Sequence, residues 1–360
     1  MSEQAAGPTK VISDFEATLE KADTSFAAFE RDDKTFVHKF RGFLRTNPTA
    51  IPALILIVSV LFFGAIAPNF LKANTLSLVL QQVTVTGVIA IAQTAVILTA
   101  GIDLSVSAIL VLSSMVMGKL AVENGVWTWL AILIGMGAGT LMGFVNGTLV
   151  TYVRLPPFIV TLGTLSIFNA IKLFYSHSES VRASDIDEKA PLLSFLGNDV
   201  NIFGAQVTFG GMALILLAII AWYLLNRTPW GRHVHAVGDD PDAALLAGIQ
   251  VNRVLLSVYM FAGLVCGFCA WVAIGRVGSV SPIGFETANL DSITATVIGG
   301  TSLFGGRGSI AGSVLGALIV GVFQTGLSLA GVDDYWQIFT VGVLVIVAVA
   351  IDQWLRRASQ

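Results

Sequence analysis

The sequence predicts an all-α, polytopic membrane protein with about ten transmembrane helices, and three observations support this. Of its 360 residues, 55% are hydrophobic and 12% are charged, whereas soluble proteins average about 45–50% apolar and about 25% charged residues. The apolar residues form long runs, and about 20 of them suffice for a helix to cross a bilayer. The basic residues collect at alternate ends of these runs. This pattern excludes a water-soluble globular enzyme.

The amino-terminal part of the chain differs from the rest. Residues 1–47 are polar and contain no apolar core of the kind that a secretory signal needs, so we expect a cytoplasmic leader, followed by a transmembrane domain over 48–360. Within the leader, residues 34–45 place three phenylalanines at helical spacing among Lys and Arg. This favours an amphipathic helix on the membrane surface. A plain basic stop before the first span fits the same residues.

The apolar runs predict the spans directly. Asp291 and two glycine pairs interrupt the eighth run, so its full crossing is left open. The predicted spans are 49–67, 76–100, 104–122, 127–150, 156–174, 209–225, 254–274, 288–304, 310–329 and 335–354.

The distribution of Lys and Arg predicts the orientation. With the amino end inside and ten spans, 14 of the 20 basic residues fall on the inner side, as the positive-inside rule requires. Both termini are therefore expected in the cytoplasm. The longest outer loop, 175–206, is mildly acidic, which is compatible with a docking surface or with a solvated connection that contains a short surface helix.

Small residues predict which helices touch. Glycines at every fourth position let helix backbones approach closely in lipid. We therefore expect helix contacts at one ladder of Gly135, Gly139, Gly143 and Gly147 and at a second of Gly308, Gly312 and Gly316. Cys266 and Cys269 lie three apart in an apolar run and are expected to be packing residues.

Several chemistries are absent from the sequence. No phosphate-binding loop occurs, since 300–307 has the glycine spacing without the Lys that such a loop requires. Any use of ATP must therefore come from another chain. No metal site, cofactor or catalytic residue is expected, and the net charge of −3 gives no basic surface for nucleic acid. Membrane lipid is the expected environment.

Polar residues inside the spans are the candidates for a substrate path. Ionisable groups are nearly absent from the spans, and the two to explain are Asp103 and Asp291. A proton- or sodium-coupled carrier usually has a buried carboxylate relay, for which this chain offers little. The remaining polarity is uncharged, which suits a neutral polyol. The candidate path residues are Gln93, Asp103, Asn146 and Asn169. Asp103 is also well placed as the N-cap of the third helix, and this role is favoured over substrate contact.

The cytoplasmic segment 226–252 contains the most specific local signal. Asp240 is a good N-cap, Pro241 a good first helical residue, Asp242 complements the positive helix end, and Gly248 is a good stop. A helix of two turns is unstable alone in water. It must therefore pack against this chain, as a plain connecting helix, or dock in another protein.

Five segments carry a resemblance to a known family. Residues 242–248 have the spacing of the E-A-A-x-x-x-G coupling motif of bacterial ABC importer permeases, with Asp in place of Glu. Residues 231–238, 99–105, 156–163 and 297–308 resemble recurring segments of the ribose/xylose/arabinose permease family. The resemblance covers nearly everything after Asn47, although the family often has Gly where this chain has Ser107. Within the family, the long leader is most similar to that of rhizobial-type fructose permeases.

The resemblance implies an ABC importer permease fold, a homodimer in the bacterial inner membrane, a partner ATPase with tandem nucleotide-binding domains, and a periplasmic sugar-binding protein. The substrate would be a monosaccharide, with fructose favoured over ribose- or xylose-like sugars. The alternatives are a secondary carrier or channel for a neutral solute and, within the ABC class, a nucleoside or branched-chain amino acid permease. The residues implied in ATPase coupling are Gly238, Asp240, Pro241, Asp242, Ala243, Ala244 and Gly248.

Overall fold

The computed structural model describes residues 49–202 and 205–357. Within these ranges the chain forms thirteen α-helices and one two-stranded hairpin. The predicted leader and its surface helix lie outside the described residues.

The first half of the described chain contains six helices and the hairpin. Helices α1 to α5 match the first five predicted spans to within three residues at each end. The bounds are α1 Ala50–Ile66, α2 Ala73–Leu98, α3 Val106–Val122, α4 Thr128–Thr151, α5 Pro157–Ser176 and α6 Ala183–Lys189, followed by β1 Asp199–Ile202 and β2 Ala205–Thr208.

The second half contains seven helices. The predicted short helix after residue 240 is present, and it follows a second helix that the sequence analysis did not predict. The bounds are α7 Phe209–Arg227, α8 Pro229–Asp239, α9 Pro241–Leu246, α10 Val251–Val277, α11 Ala288–Ile298, α12 Ile310–Leu329 and α13 Asp334–Arg357.

Six of these helices are long and apolar enough to cross a membrane: α2, α4, α5, α7, α10 and α12. Three more apolar helical stretches are shorter, namely α1, α3 and Tyr335–Val347 within α13. Helix α11 has 11 residues and is therefore about 16 Å long, well short of a bilayer core of about 30 Å. The described helices establish a multi-pass membrane protein, but a count of ten spans is not confirmed.

Helices α4 and α10 form a tight antiparallel seam. A Cβ atom on Gly139 or Gly143 would overlap the backbone of Gly263 or Tyr259, and one on Gly263 would overlap Gly139. The first glycine ladder is therefore confirmed as a helix contact. It allows backbone-to-backbone packing, which supplies the attraction between helices when no water is present.

The second glycine ladder is confirmed in part. Gly312 and Gly316 lie against Gly299 and Ala295, where α12 meets α11. Gly308 precedes α12 and instead approaches Thr301 within the connecting turn. Cys266 and Cys269 are free thiols with 0% exposure, as expected of packing residues.

The connection between α5 and α7 is more structured than the sequence analysis predicted. It contains α6, a short 3-10 turn at Phe195–Gly197 and the antiparallel hairpin, with Val200 paired to Val207. The all-α prediction is therefore incomplete by one hairpin, whose residues alternate polar and apolar with a period of two. An isolated bridge joins Val181 to Val280, which lies in the connection from α10 to α11.

Candidate coupling region and translocation path

Helix α9 is built by the capping residues that its sequence supplies. The Asp240 carboxylate accepts hydrogen bonds from the backbone N–H groups of Asp242 (2.9 Å) and Ala243 (3.0 Å). Pro241 occupies the first turn, where its missing N–H costs nothing. Gly248 has φ +84°, a conformation that favours glycine and ends the helix. The predicted start and stop of this helix are confirmed.

Most of α9 faces away from the rest of the chain. Only Ala244 is buried, whereas Leu245 is 62% and Leu246 is 90% exposed. These two leucines therefore form an apolar surface without a partner in the described chain. Burial of one leucine side chain in a complex would contribute about 1.5–3 kcal/mol. We call this surface, Leu245 and Leu246, the α9 apolar tip.

Helix α8 connects α9 to the membrane domain. Thr228 Oγ1 caps it by accepting from Gly231 N–H, and Trp230 Nε1 donates to Ser257 Oγ on α10 at 2.8 Å. At its other end, a Cβ atom on Gly238 would overlap the carbonyl oxygen of Leu98, the last residue of α2. Only a glycine allows this contact between α8 and α2.

A third segment meets α8 and α2 at the same point. Gly306 N–H donates to the Leu98 carbonyl at 2.9 Å, and His235 Nδ1 donates to the Gly306 carbonyl at 3.1 Å. Gly300, Gly305 and Gly306 all have positive φ, so this segment is a glycine-rich turn, as predicted. We call the contact of Gly238, Leu98 and Gly306 the glycine junction. The sequence analysis missed the parts that His235 and Leu98 have in it.

Three of the four candidate path residues gather in one buried cluster. The Asp103 carboxylate accepts from Ser105 N–H (2.8 Å) and Ser105 Oγ (2.6 Å), and Asn146 Nδ2 donates to Ser105 Oγ at 2.8 Å. Gln93 Nε2 donates to the Asp103 carbonyl oxygen. Gln93, Asp103 and Asn146 are at most 1% exposed, so the cluster is closed to solvent in this conformation.

The cluster corrects one detail of the sequence analysis. The N-cap of α3 is Ser105, and Asp103 lies two residues before it. Asp103 therefore stabilises the turn that leads into α3, because its carboxylate accepts the Ser105 N–H group, but it is not the helix cap itself.

Several polar atoms near the cluster have no partner. Gln93 Oε1, Asn146 Oδ1 and Tyr259 OH are buried without a hydrogen bond within the described residues. Buried polar groups are nearly always satisfied. These acceptors and the hydroxyl could therefore pair with water or with a polar solute when the helices around them separate.

Asn169 lies apart from the cluster. It is half-buried on α5, and no hydrogen bond of the described residues joins it to Gln93, Asp103 or Asn146. The structure thus brings together three of the four candidate residues and leaves the fourth on another helix face.

A second polar network lies at the end of α10 that is far from α9. Arg276 Nη2 donates to Gln82 Oε1 at 3.5 Å, and Gln82 Nε2 donates to Gln324 Oε1 at 2.9 Å. Thr287 Oγ1 donates to Asp291 Oδ2 at 3.4 Å. The bonds of Gln82 join α2, α10 and α12, and the Thr287–Asp291 bond lies at the start of α11. The amides of this network were visible in the sequence as polar residues within apolar runs.

Comparison with known proteins identifies a family and several relatives. Residues 75–348 match a family model described as "Branched-chain amino acid transport system / permease component". The chain is 50% identical to the fructose import permease protein of Rhizobium meliloti, over 99% of this chain and 98% of that protein.

More distant relatives import other sugars. The chain is 37% identical to the ribose import permease protein of Bacillus subtilis strain 168, over 84% of this chain and 92% of that one. It is 38% identical to the D-allose transport system permease protein of Escherichia coli strain K12, over 84% and 91%. No solved structure matches the chain. With the family model covering most of its length, the chain belongs to this family of transport permease components.

Proposed function

We propose that the chain is the permease subunit of an ABC importer that moves a monosaccharide, first of all fructose, into a bacterial cell. The observation that carries the proposal is the α9 apolar tip. Helix α9 is fully capped by its own residues, yet its leucines remain exposed. The 50% identity to a fructose import permease supports the substrate class. Ribose- and xylose-like sugars are the next candidates.

The coupling residues of this proposal lie in the segment 226–252 of the transmembrane domain 48–360. A partner ATPase binds the α9 apolar tip, and Asp240, Pro241, Asp242, Ala243, Ala244 and Gly248 hold α9 in shape for it. Gly238 passes the motion on, because α8 ends at the glycine junction in contact with Leu98 and Gly306. ATP-driven closure then rocks the helices between inward- and outward-facing states.

Three kinds of partner follow from this assignment. The sequence has no phosphate-binding loop, so ATP hydrolysis belongs to a separate ATPase with tandem nucleotide-binding domains. A periplasmic sugar-binding protein supplies affinity and most specificity. A second copy of the chain completes the path, and α5 offers a face for it or for lipid with Ile159 60% and Ile167 55% exposed.

The orientation in the inner membrane follows from the basic residues. Segment 226–252, with α8 and α9, lies in the cytoplasm together with both termini. The α5–α7 connection and the Val181–Val280 bridge then lie on the periplasmic side. From here on, this side of the molecule is called outer.

The substrate path in this proposal passes the buried cluster. Gln93, Asp103 and Asn146 contribute amide and carboxylate groups, and Asn169 contributes a further amide from α5. Their support is chemical, since Gln93 Oε1 and Asn146 Oδ1 have no partner when the cluster is closed. A neutral sugar can donate hydroxyl protons to both oxygens.

A pull-down from native cells tests the partners. The tagged chain is purified in mild detergent, and the proteins that accompany it are identified by mass spectrometry. Recovery of an ATPase with two phosphate-binding loops in one chain supports the proposal. A folded chain that repeatedly purifies alone contradicts it.

Substitution of the α9 apolar tip tests the coupling. Leu246→Glu places a charge where the ATPase would bury a leucine, and the expected loss of at least about 2 kcal/mol weakens ATPase binding by about thirtyfold or more. Gln250→Glu is the matched control, because it adds the same charge at another exposed position four residues away. Equal binding and uptake by both variants would refute the assignment of α9.

Uptake by proteoliposomes tests the substrate and the competing class. Vesicles that contain the chain with its ATPase and binding protein should accumulate labelled D-fructose only when ATP is present, and labelled leucine should not enter. A secondary carrier predicts the opposite dependence, since the chain alone would then move solute along an ion or solute gradient.

A further inference from the structure

A cavity of about 220 Å³ lies at the outer end of α10, outside the buried cluster described above. Its walls are formed by Ser114 of α3, by aliphatic side chains of α10, and by Ser279, Val280, Ser281 and Phe285 of the connection to α11. None of the residues that line it carries a charge. Neither a bare ion nor a zwitterion has a charged partner there.

The size of the cavity limits its occupant. Sites for drug-sized molecules measure about 300–1,000 Å³, and one water molecule occupies about 30 Å³ in the liquid. The cavity therefore holds several waters or one small ring, but not a disaccharide. Mainly apolar walls with a few fixed polar groups are typical of a small-molecule site.

The serine hydroxyls offer both hydrogen-bonding roles. Ser114 Oγ donates to the Val111 carbonyl at 2.8 Å, which leaves its lone pairs as acceptors. Ser281 Oγ accepts from Ile283 N–H at 3.4 Å, which leaves its proton to donate. A sugar hydroxyl needs both kinds of partner, whereas an alkyl chain needs neither.

Phe285 is held in a backbone conformation that costs energy. Its φ of +56° lies in the left-handed region, where a bulky residue is uncommon and strain is typical of functional sites. Phe285 lines the cavity, and its phenyl ring can offer an aromatic face to the C–H groups of a sugar ring. A strained backbone at this residue indicates that the position of its side chain matters for function.

The cavity wall is also tied to the outer surface. Val181 and Val280 exchange two backbone hydrogen bonds, at 2.9 Å and 3.1 Å. A Cβ atom on Gly118 would contact both valines, so the bridge lies directly on α3. A protein that binds the α5–α7 connection therefore contacts a segment continuous with the cavity wall.

The geometry points to a binding subsite for one monosaccharide ring in this cavity, where a sugar released on the outer side first contacts the permease. This inference rests on the proposed function. The residues that act in it are Ser114, Ser279 and Ser281, which bond to sugar hydroxyls, and Phe285, which packs against the ring.

Protection of an introduced thiol tests the subsite. The variant Ser279→Cys, in the complete importer complex in membrane vesicles, reacts with a small hydrophilic thiol reagent, while Cys266 and Cys269 are buried and do not. Bound D-fructose should slow the reaction by a factor of 1 + [sugar]/Kd, which we measure up to about 300 mM sugar. Ser184→Cys, exposed on α6, is the matched control and should react at the same rate with and without sugar.

Uptake by the modified complexes gives the second measurement. A bulky thiol reagent on the Ser279→Cys variant should lower fructose uptake at least tenfold, whereas the same reagent on Ser184→Cys should leave it unchanged. Ser279→Cys that is unprotected by D-fructose, D-ribose and D-allose, or that transports normally after modification, overturns the subsite. Failure of the unmodified wild-type complex to import any sugar overturns the proposed function instead, so the two results are distinguishable.

Discussion

Substitution of Gly238 by alanine should uncouple the importer while leaving the chain folded and bound to its ATPase. The added methyl group would overlap the Leu98 carbonyl oxygen and lie 2.8 Å from Gly306 N. Both are backbone atoms, which cannot rotate away as a flexible side chain can. Helix α8 must therefore move away from the glycine junction.

The size of the effect follows from the contacts that are lost. Overpacking of a close contact costs about 1–3 kcal/mol, and loss of the hydrogen bond from Gly306 N–H to Leu98 costs about 0.5–1.5 kcal/mol more. The conformation with α8 at the junction is thus destabilised by about 1.5–4.5 kcal/mol, which changes its population ratio by about 10- to 1,600-fold. Fructose uptake should fall at least about tenfold.

The assay is ATP-dependent fructose uptake by proteoliposomes, with ATPase binding measured on the same preparation. Gly137→Ala is the matched control, because a Cβ atom at this position of α4 has no neighbour within 4 Å and an alanine in a helix is favoured by about 1 kcal/mol. Gly238→Ala with normal uptake would show that α8 does not transmit motion through this contact. Lost ATPase binding would show that the defect lies in α9 instead.

The remaining predictions concern stability and topology. Asp103→Leu should lower the free energy of unfolding by about 2–4 kcal/mol because the Ser105 N–H and hydroxyl groups lose their buried acceptor, whereas Asp103→Asn should cost less than half as much; thermal unfolding in detergent compares them, and equal melting temperatures would contradict this role. Gly143→Leu should separate α4 from α10 and lower the melting temperature far more than Gly137→Leu, and equal effects would argue against the seam. A reporter that is active only in the cytoplasm should be active when fused after Gln360, because an even number of spans returns the chain to the cytoplasm. Activity of a reporter that works only in the periplasm would refute an even number of spans.

The sequence was sufficient where local chemistry determines the structure. Helix α12, Ile310–Leu329, has the predicted bounds because an apolar run ends in polar or glycine residues on both sides. Helix α9 was predictable for the same reason, since Asp240 and Gly248 mark its ends. The α4–α10 seam followed from the spacing of its glycines.

The sequence was insufficient where contacts distant in the chain decide. Helix α8 is half polar and contains two histidines, so its apolar pattern is weak, although Thr228 and Pro229 do mark its start. The glycine junction joins residues 98, 238 and 306, and no local pattern could place them together. The separation of Asn169 from Asn146 depends likewise on how α5 packs, which helical periodicity alone does not determine.

The α4–α10 seam couples the motion of these two helices, because their backbones are in direct contact. Helix α10 has 27 residues and is therefore about 40 Å long. It begins just after the short turn that follows α9 and ends at the wall of the outer cavity. The close backbone contacts with α4 extend along α10 from Leu256 to Gly267. A tilt of about 10°, within the range of known subunit rotations, would displace the far end by about 7 Å. This displacement is larger than the width of a sugar ring. Movement of the end of α10 next to α9 would therefore open or close the cavity at its other end.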